Sequence, residues 1–292
     1  MSAAVSADPD VFLEIDDLEL VGRGLAEAVW LGRHGGVRTG PGVEFHSHRA
    51  YQPGDDLRRI NWALYARQRR LHVRESRQES RRPVHIIVDA TASMAVANAT
   101  HSKFHYAARA AAALAYIANG QGDAASLCLL QDRLAAALPP RTGSSQTAGI
   151  CAALSATTPR GTSDLVRALG EARHICTQRG FIILISDFFD KEDALIVELA
   201  QLSAQGHDVL ALQILDPMEV ELPASGDYEF LDAEDGSRLK TSAEELRASH
   251  KKAVAEWRET LRTRSLAAGL RWQTMTTEDP LAPILRAWLD AG

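Results

Sequence analysis

From Pro83 onward the chain alternates short apolar runs with longer amphipathic or Ala-rich stretches. "VHIIVD", "DAASLCLLQ", "GFIILISD" and "HDVLALQILD" are four to eight apolar positions bounded by turn residues, the pattern of strands buried on both faces. "RLAAALPP" follows the second of them closely and reads as its hairpin partner. Between the strands lie helical stretches over 102–119, 145–157, "TSDLVRALGEARHIC" and 191–204, the third capped by Thr162 or Ser163. A small hairpin around Asp235 and Gly236, a long amphipathic helix over 242–268, a strand "LRWQTMTT" and a closing helix over 279–290 complete the chain.

Before Pro83 the pattern differs. Residues 1–30 read as a short helix or an extended lead-in ending near Trp30. Residues 31–54 are rich in Gly and polar residues, with turn signals at Gly40-Pro41-Gly42 and Pro53-Gly54-Asp55. "RLHVRESRQ" alternates like a strand. The expected architecture is α/β, with a mostly parallel, doubly wound sheet over 83–292 and an N-terminal segment, 1–82, appended to it and packing on it.

Composition changes this picture little. Among 292 residues, 32 basic against 38 acidic side chains leave a net charge of −6, which argues against a chain-wide nucleic-acid binder. The charge is uneven, however. Residues 58–82 hold nine arginines against Glu75 and Glu79, a local +7, so the remainder carries −13. Cys128, Cys151 and Cys176 are odd in number, widely spaced and set in apolar runs, which predicts reduced thiols and a cytoplasmic protein. The acidic first twenty residues do not have the form of a signal peptide. "AARAAAALAYIA" is too short for a bilayer span and carries Arg109.

The candidate chemistry sits at strand ends. In doubly wound sheets ligands bind beyond the carboxyl ends of the strands. Asp89 ends the first strand of the unit and is followed at alternate positions by Thr91 and Ser93. Asp187 ends a second strand, and Thr162 lies in the loop "PRGTSDL". Two acids and three alcohols are hard oxygen donors, suited to Mg²⁺ or Mn²⁺ and poorly to zinc.

Asp89-x-Thr91-x-Ser93, then Gly161-Thr162, then Ser186-Asp187 resemble the metal-ion-dependent adhesion site of von Willebrand factor A domains, with Thr91 in place of the first serine. "GVEFHSHRAYQPGDDLRRINWALYARQRRLHVRESRQES" and "ILDPMEVELPASGDYEFLD" resemble the bacterial family catalogued as domain of unknown function 58. The resemblance implies a von Willebrand A-like domain acting as an adaptor or chaperone-like partner of a MoxR-type AAA+ ATPase or its client. It also implies that the hydroxyls contact the metal while Asp89 and Asp187 act around it.

The function classes separate on particular residues. A haloacid-dehalogenase-type phosphatase needs a second acid two residues after Asp89, where Thr91 stands and is unfit as a general acid near neutral pH. There is no phosphate loop of the GxxxxGK[ST] form, and Ser186 lacks the glycines of a nucleophile elbow. A non-catalytic, metal-dependent adaptor is the leading expectation, a metal-dependent phosphoesterase or hydrolase is the alternative, and a nucleic-acid binder through the 58–82 arginine stretch ranks behind both. The arginine stretch, with Arg58, Arg59 and Arg67, is expected to contact a partner or the acidic remainder rather than nucleic acid.

Overall fold

The structure is a computed structural model that describes residues 17–33, 47–50, 65, 69–75, 82–96, 102–161, 164–189, 192–223, 225–231 and 238–290. It falls into two compact units, one formed by residues 1–33 with 81–292 and the other by residues 34–80. In the smaller unit, β1 (Ser47–Ala50) pairs antiparallel with β2 (His72–Glu75). Arg58, Arg59 and Arg67, expected as partner contacts, lie outside the described residues, as does Thr162.

The larger unit is built on six strands: β3 (Val84–Asp89), β4 (Ala125–Leu130), β5 (Leu134–Arg141), β6 (Phe181–Ser186), β7 (Asp208–Leu215) and β10 (Arg271–Thr276). Their order across the sheet is β10-β7-β6-β3-β4-β5. Every neighbouring pair is parallel except β4–β5, the antiparallel hairpin at one edge. This is the expected doubly wound, mostly parallel α/β arrangement. β8 (Asp227–Leu231) and β9 (Arg238–Ser242) form the small separate hairpin. The Asp235-Gly236 turn proposed for it lies outside the described residues.

The strand sequences build the two faces through their period of two. Val84, Ile86 and Val88 of β3 enter one core with Ile183, Ile185, Leu127 and Leu129. Ile87 enters the opposite core with Ile182, Leu184 and Cys128. The first core is covered by α1 (Leu18–Arg33), α2 (Lys103–Gln121), α3 (Ser144–Ser155) and α8 (Leu281–Asp290). The second is covered by α4 (Leu165–Ala172), α5 (Glu192–Ala204) and part of α7 (Ala243–Ala267). α2 is Ala-rich because it is buried nearly all round, with Ala107, Ala110, Ala111, Ala112, Ala113 and Ala115 inaccessible to solvent. Cys128, Cys151 and Cys176 are buried and unpaired.

Two details depart from the expectation. A single segment over 1–82 was expected, but α1 belongs to the core of the larger unit. Its Leu18, Val21, Leu25, Ala26 and Val29 recur at helical spacing and pack in the first core. Gly22 lets α1 lie directly on α2, since a Cβ there would stand 2.9 Å from the Ala112 Cβ. In addition, α4 starts at Leu165 with Asp164 in the N-cap position and makes no side-chain cap bond, whereas Thr162 or Ser163 was expected to cap it.

The closing turns of the parallel strands all emerge at one edge. After β3 come a 3-10 turn (Ala92–Ala95) and α2, after β6 comes α5, and after β7 comes the short helix α6 (Pro217–Val220). Among the described residues, no helix is long and apolar enough to cross a membrane.

Candidate functional site

Asp89 is the last residue of β3 and is inaccessible to solvent. Its Oδ1 accepts both the Thr91 backbone N–H, at 2.9 Å, and the Thr91 hydroxyl, at 2.7 Å. The aspartate thereby closes a turn on the residue two ahead, the local geometry its short side chain favours. Ala90 and Ala92 allow this sharp exit, and the fully buried Met94 pins the following 3-10 turn. Thr91 Oγ1 and Ser93 Oγ come to 3.2 Å of each other. The alternation read from the sequence therefore brings two hydroxyls together over one carboxylate.

β6 lies beside β3, with Val88 opposite Ile185, so the next residues, Asp89 and Ser186, meet at the edge. The Ser186 hydroxyl donates to Asp89 Oδ2 at 2.6 Å and accepts the Phe188 N–H at 3.1 Å. Asp187 follows. Its Oδ1 accepts the Phe189 N–H at 3.2 Å, and its backbone carbonyl accepts from Gln213 Nε2 at 3.1 Å. Phe188 sits at φ 61, a left-handed conformation costly for a bulky side chain. Its buried ring, packed 4.8 Å from the Trp272 ring, holds it there.

The loop carrying Thr162 also reaches this edge. Gly161 accepts a backbone hydrogen bond from Ala92 at 3.2 Å, and Arg160 donates to Ala90 at 3.0 Å. Asp89, Thr91, Ser93 and Asp187 are thus gathered at neighbouring strand ends, with the segment leading to Thr162 alongside.

Two further participants were missed from the sequence. Lys103, the first residue of α2, is wholly buried, and its Nζ donates to Asp187 Oδ2 at 2.8 Å and Glu219 Oε1 at 2.6 Å. The ammonium also lies 5.0 Å from the centroid of the Phe189 ring. Glu219 is itself held by a capping box on α6. Its Oε2 accepts the Asp216 N–H at 2.7 Å, while Asp216 Oδ1 accepts the Met218 N–H at 2.9 Å. The Lys103 backbone N–H bonds Val96 at 3.0 Å. One lysine therefore ties together the connections after β3, β6 and β7.

A sequence clue to Lys103 existed. α2 contains no Asp or Glu, and a cation at a helix N-terminus opposes the helix dipole, so a lysine opening this helix needs a distant acid.

The electrostatics are those of a site with surplus negative charge. Burial, then the neighbouring charge of Asp187, pushes the Asp89 carboxyl up to about 7, against the hydrogen bonds from Ser186 and Thr91 that favour its ionised form. Burial also works against the Lys103 charge, but the Asp187 and Glu219 carboxylates outweigh it and hold the ammonium above its usual value. Burial raises Glu219 despite the attraction of Lys103. Asp89, Asp187 and Glu219 thus set three acids against one base. Asp216 Oδ2, at the end of the next strand, is buried with no hydrogen-bond partner among the described residues.

This donor set fits a hard divalent cation. Thr91 and Ser93 present neutral oxygens with lone pairs to spare, and the excess of carboxylates is what such an ion offsets. No cluster of three or more His, Cys, Asp or Glu side chains suited to a metal occurs among the described residues, so the hydroxyls are essential to this reading.

Three exposed apolar side chains lie near the site. Val96, Phe189 and Met218 are 36%, 45% and 41% exposed, and each adjoins Lys103 or one of its partners. Phe189 is backed by Trp257 of α7, stacked at 4.8 Å with an interplanar angle of 1°.

Comparison with known proteins yields a family and a set of relatives. The family model described as "Protein of unknown function DUF58" matches residues 47–260. Uncharacterized protein Rv1480 of Mycobacterium tuberculosis (strain ATCC 25618 / H37Rv) is 32% identical over 285 residues, covering 96% of this chain and 89% of that protein. Uncharacterized protein Mb1516 of Mycobacterium bovis is similar to the same extent. Among solved structures, conserved hypothetical protein BatB from Bacteroides thetaiotaomicron is 17% identical with a TM-score of 0.48, covering 72% of this chain and 97% of that one. The SpRpn10 VWA domain is 10% identical with a TM-score of 0.41, covering 70% of this chain and 93% of that one.

Proposed function

This chain belongs to the family described as Protein of unknown function DUF58, and from that premise we propose that it is a non-catalytic adaptor whose carboxyl sheet edge binds a protein partner with the help of Mg²⁺ or Mn²⁺. The observation that carries the reading is the Thr91–Ser93 hydroxyl pair, 3.2 Å apart, set over an Asp89 carboxylate whose two oxygens are already occupied by internal donors.

In this reading Thr91 and Ser93 hold the ion directly, with Thr162 as the expected third hydroxyl. Asp89 acts from behind, orienting the Thr91 hydroxyl, and both aspartates contribute negative charge around the ion. A bound ion supplies a coordination position for an acidic side chain of the partner. The exposed Val96, Phe189 and Met218 supply apolar contact around it, the usual composition of a recognition patch.

The partner proposed is a MoxR-type AAA+ ATPase or its client, with Arg58, Arg59 and Arg67 as a second, salt-sensitive contact. A binding role suits the site better than catalysis. Ser186, the hydroxyl nearest a base, is inaccessible to solvent and already engaged as donor and acceptor. The Thr91 hydroxyl gives its hydrogen to Asp89, leaving its oxygen lone pairs for a cation.

The test is a calorimetric titration of this chain against the cognate MoxR-type ATPase, with Mg²⁺ and with chelator, for wild type and Asp89→Asn. Binding that needs the ion and falls about thirtyfold or more in the variant is expected, the loss typical of a desolvated charge contact. Equal affinity in all four conditions removes the site from partner binding. Mg²⁺-dependent phosphoester turnover that disappears in Asp89→Asn moves the protein to the enzyme class.

A further inference from the structure

The ion proposed at Thr91 and Ser93 shares its surroundings with a cation the chain already owns. Every carboxylate oxygen of Asp89 and Asp187 has a donor inside the protein. Asp89 Oδ1 has Thr91, Asp89 Oδ2 has Ser186, Asp187 Oδ1 has the Phe189 N–H, and Asp187 Oδ2 has the Lys103 ammonium. Lys103 has no room to swing away. It is fully buried, held at 2.6 Å by Glu219, which is itself clamped by the Asp216 N–H, and lies near the Phe189 ring.

We infer that Lys103 is a resident counter-ion that withholds Asp187 from a divalent cation and keeps the affinity of the Thr91–Ser93 site for such a cation low. This rests on the proposed metal site and adds a determinant of its strength.

The physical reason is charge. With Asp187 engaged, the protein's direct ligands are neutral hydroxyls, and a fixed positive charge stands behind them. Like charges repel strongly where water is excluded. An ion held in this way remains short of anionic ligands, so an outside carboxylate gains more by joining it. A lysine that served only to tie the three loops together would lower stability when removed. It would not be holding metal affinity down.

Mn²⁺ alone is the probe, titrated calorimetrically into the full chain. The variants are Lys103→Met, Glu219→Gln, the double variant Lys103→Met/Glu219→Gln, and Lys103→Met with Asp89→Asn, each checked for folding by its thermal transition. Lys103→Met should bind Mn²⁺ at least about tenfold more tightly than wild type. The double variant, which removes both members of the ion pair and so leaves no stranded Glu219, should also bind more tightly than wild type because Asp187 is released. Glu219→Gln, which leaves Lys103 with Asp187 alone, should bind more weakly. Adding Asp89→Asn should cancel the gain, showing that the ion sits at this site.

A folded double variant that binds Mn²⁺ no more tightly than wild type overturns the inference. If wild type also binds Mn²⁺, the metal reading survives that failure. Tight binding in the lysine variants with none in wild type supports the inference and overturns the metal reading for the native chain. Absence of binding in every folded variant overturns both.

Discussion

The two ends of strand β3 each bury a polar side chain and treat it differently. At the amino end, His85 is inaccessible to solvent, with Nδ1 2.8 Å from Ser126 Oγ and Nε2 3.1 Å from the Gln178 carbonyl oxygen. A carbonyl only accepts, so Nε2 carries the proton and Nδ1 accepts from the serine. One neutral ring, one donor and one acceptor satisfy His85 without charge, and the His207 ring packs edge-on at 5.9 Å with its own Nδ1 buried and without a hydrogen-bond partner among the described residues. At the carboxyl end, four residues along, Asp89 is equally buried and equally hydrogen-bonded, yet it stands beside the charge of Asp187, which shares a single ammonium with Glu219. Burial alone therefore does not mark a site. The unbalanced charge at one end, with the Thr91 and Ser93 hydroxyls beside it, sets a candidate binding place apart from a histidine whose own hydrogen bonds are complete.

The contrast is broken most severely by removing Lys103. Lys103→Met leaves one buried and one partly buried carboxylate without their cation and should cost about 3–5 kcal/mol, lowering the melting temperature by on the order of 10 °C. Adding Glu219→Gln should recover part of that loss in the same thermal melt, because it removes one of the stranded charges. The equivalent disturbance at the amino end has no comparable charge to expose.

The second largest effect concerns pH. The folded-state pKa of Asp89 is raised to about 7, so the fold prefers the protonated carboxyl. Its contribution to stability is therefore fully present below about pH 4 and is lost as pH rises through 7, amounting to on the order of 4 kcal/mol. In metal-free buffer Asp89→Asn should flatten the melting temperature over this window, and an unchanged slope would mean that Asp89 is not the group responsible.

At the amino end the sign reverses. Burial chiefly, with the neighbouring His207 adding to it and the Gln178 hydrogen bond opposing, lowers the His85 pKa. His207 is lowered by burial and by Arg179. Both rings are kept neutral by the fold, so their contribution holds above about pH 6.5 and is lost as pH falls below it. Between pH 7 and 5 this loss opposes the Asp89 gain, so denaturation curves of Asp89→Asn should show it, and adding His85→Gln should reduce it. Smallest of all, Ser126→Ala removes one hydrogen bond to His85 and should cost about 1 kcal/mol in urea unfolding, leaving the response to divalent cations untouched.

Much of this frame was legible in the chain because the strands are buried on both sides. "VHIIVD" and "GFIILISD" have little choice but to be internal strands, and an acid ending each of them places Asp89 and Asp187 at one edge once β3 and β6 are neighbours. The role of α1 was harder to see. Its apolar positions fall at helical spacing, but that pattern does not say which neighbour covers them, so the helix was grouped with the segment that follows it instead of with the sheet.

Lys103 and Glu219 were missed because their pairing spans 116 residues, and each has an ordinary local reading. A lysine near a helix start resembles a surface residue, and a glutamate in Asp216-Pro217-Met218-Glu219 is explained by its capping box. The charge excess that defines the site exists only when three strand ends come together, and a strand-by-strand reading does not sum it.

The most direct test of the central claim is anomalous diffraction from crystals of the full chain soaked in Mn²⁺. The account predicts an anomalous peak within coordination distance, about 2.1–2.2 Å, of both Thr91 Oγ1 and Ser93 Oγ, and its loss in Asp89→Asn crystals. A Lys103→Met crystal with no peak at that hydroxyl pair under saturating Mn²⁺, or a peak that persists unchanged in Asp89→Asn, would contradict it.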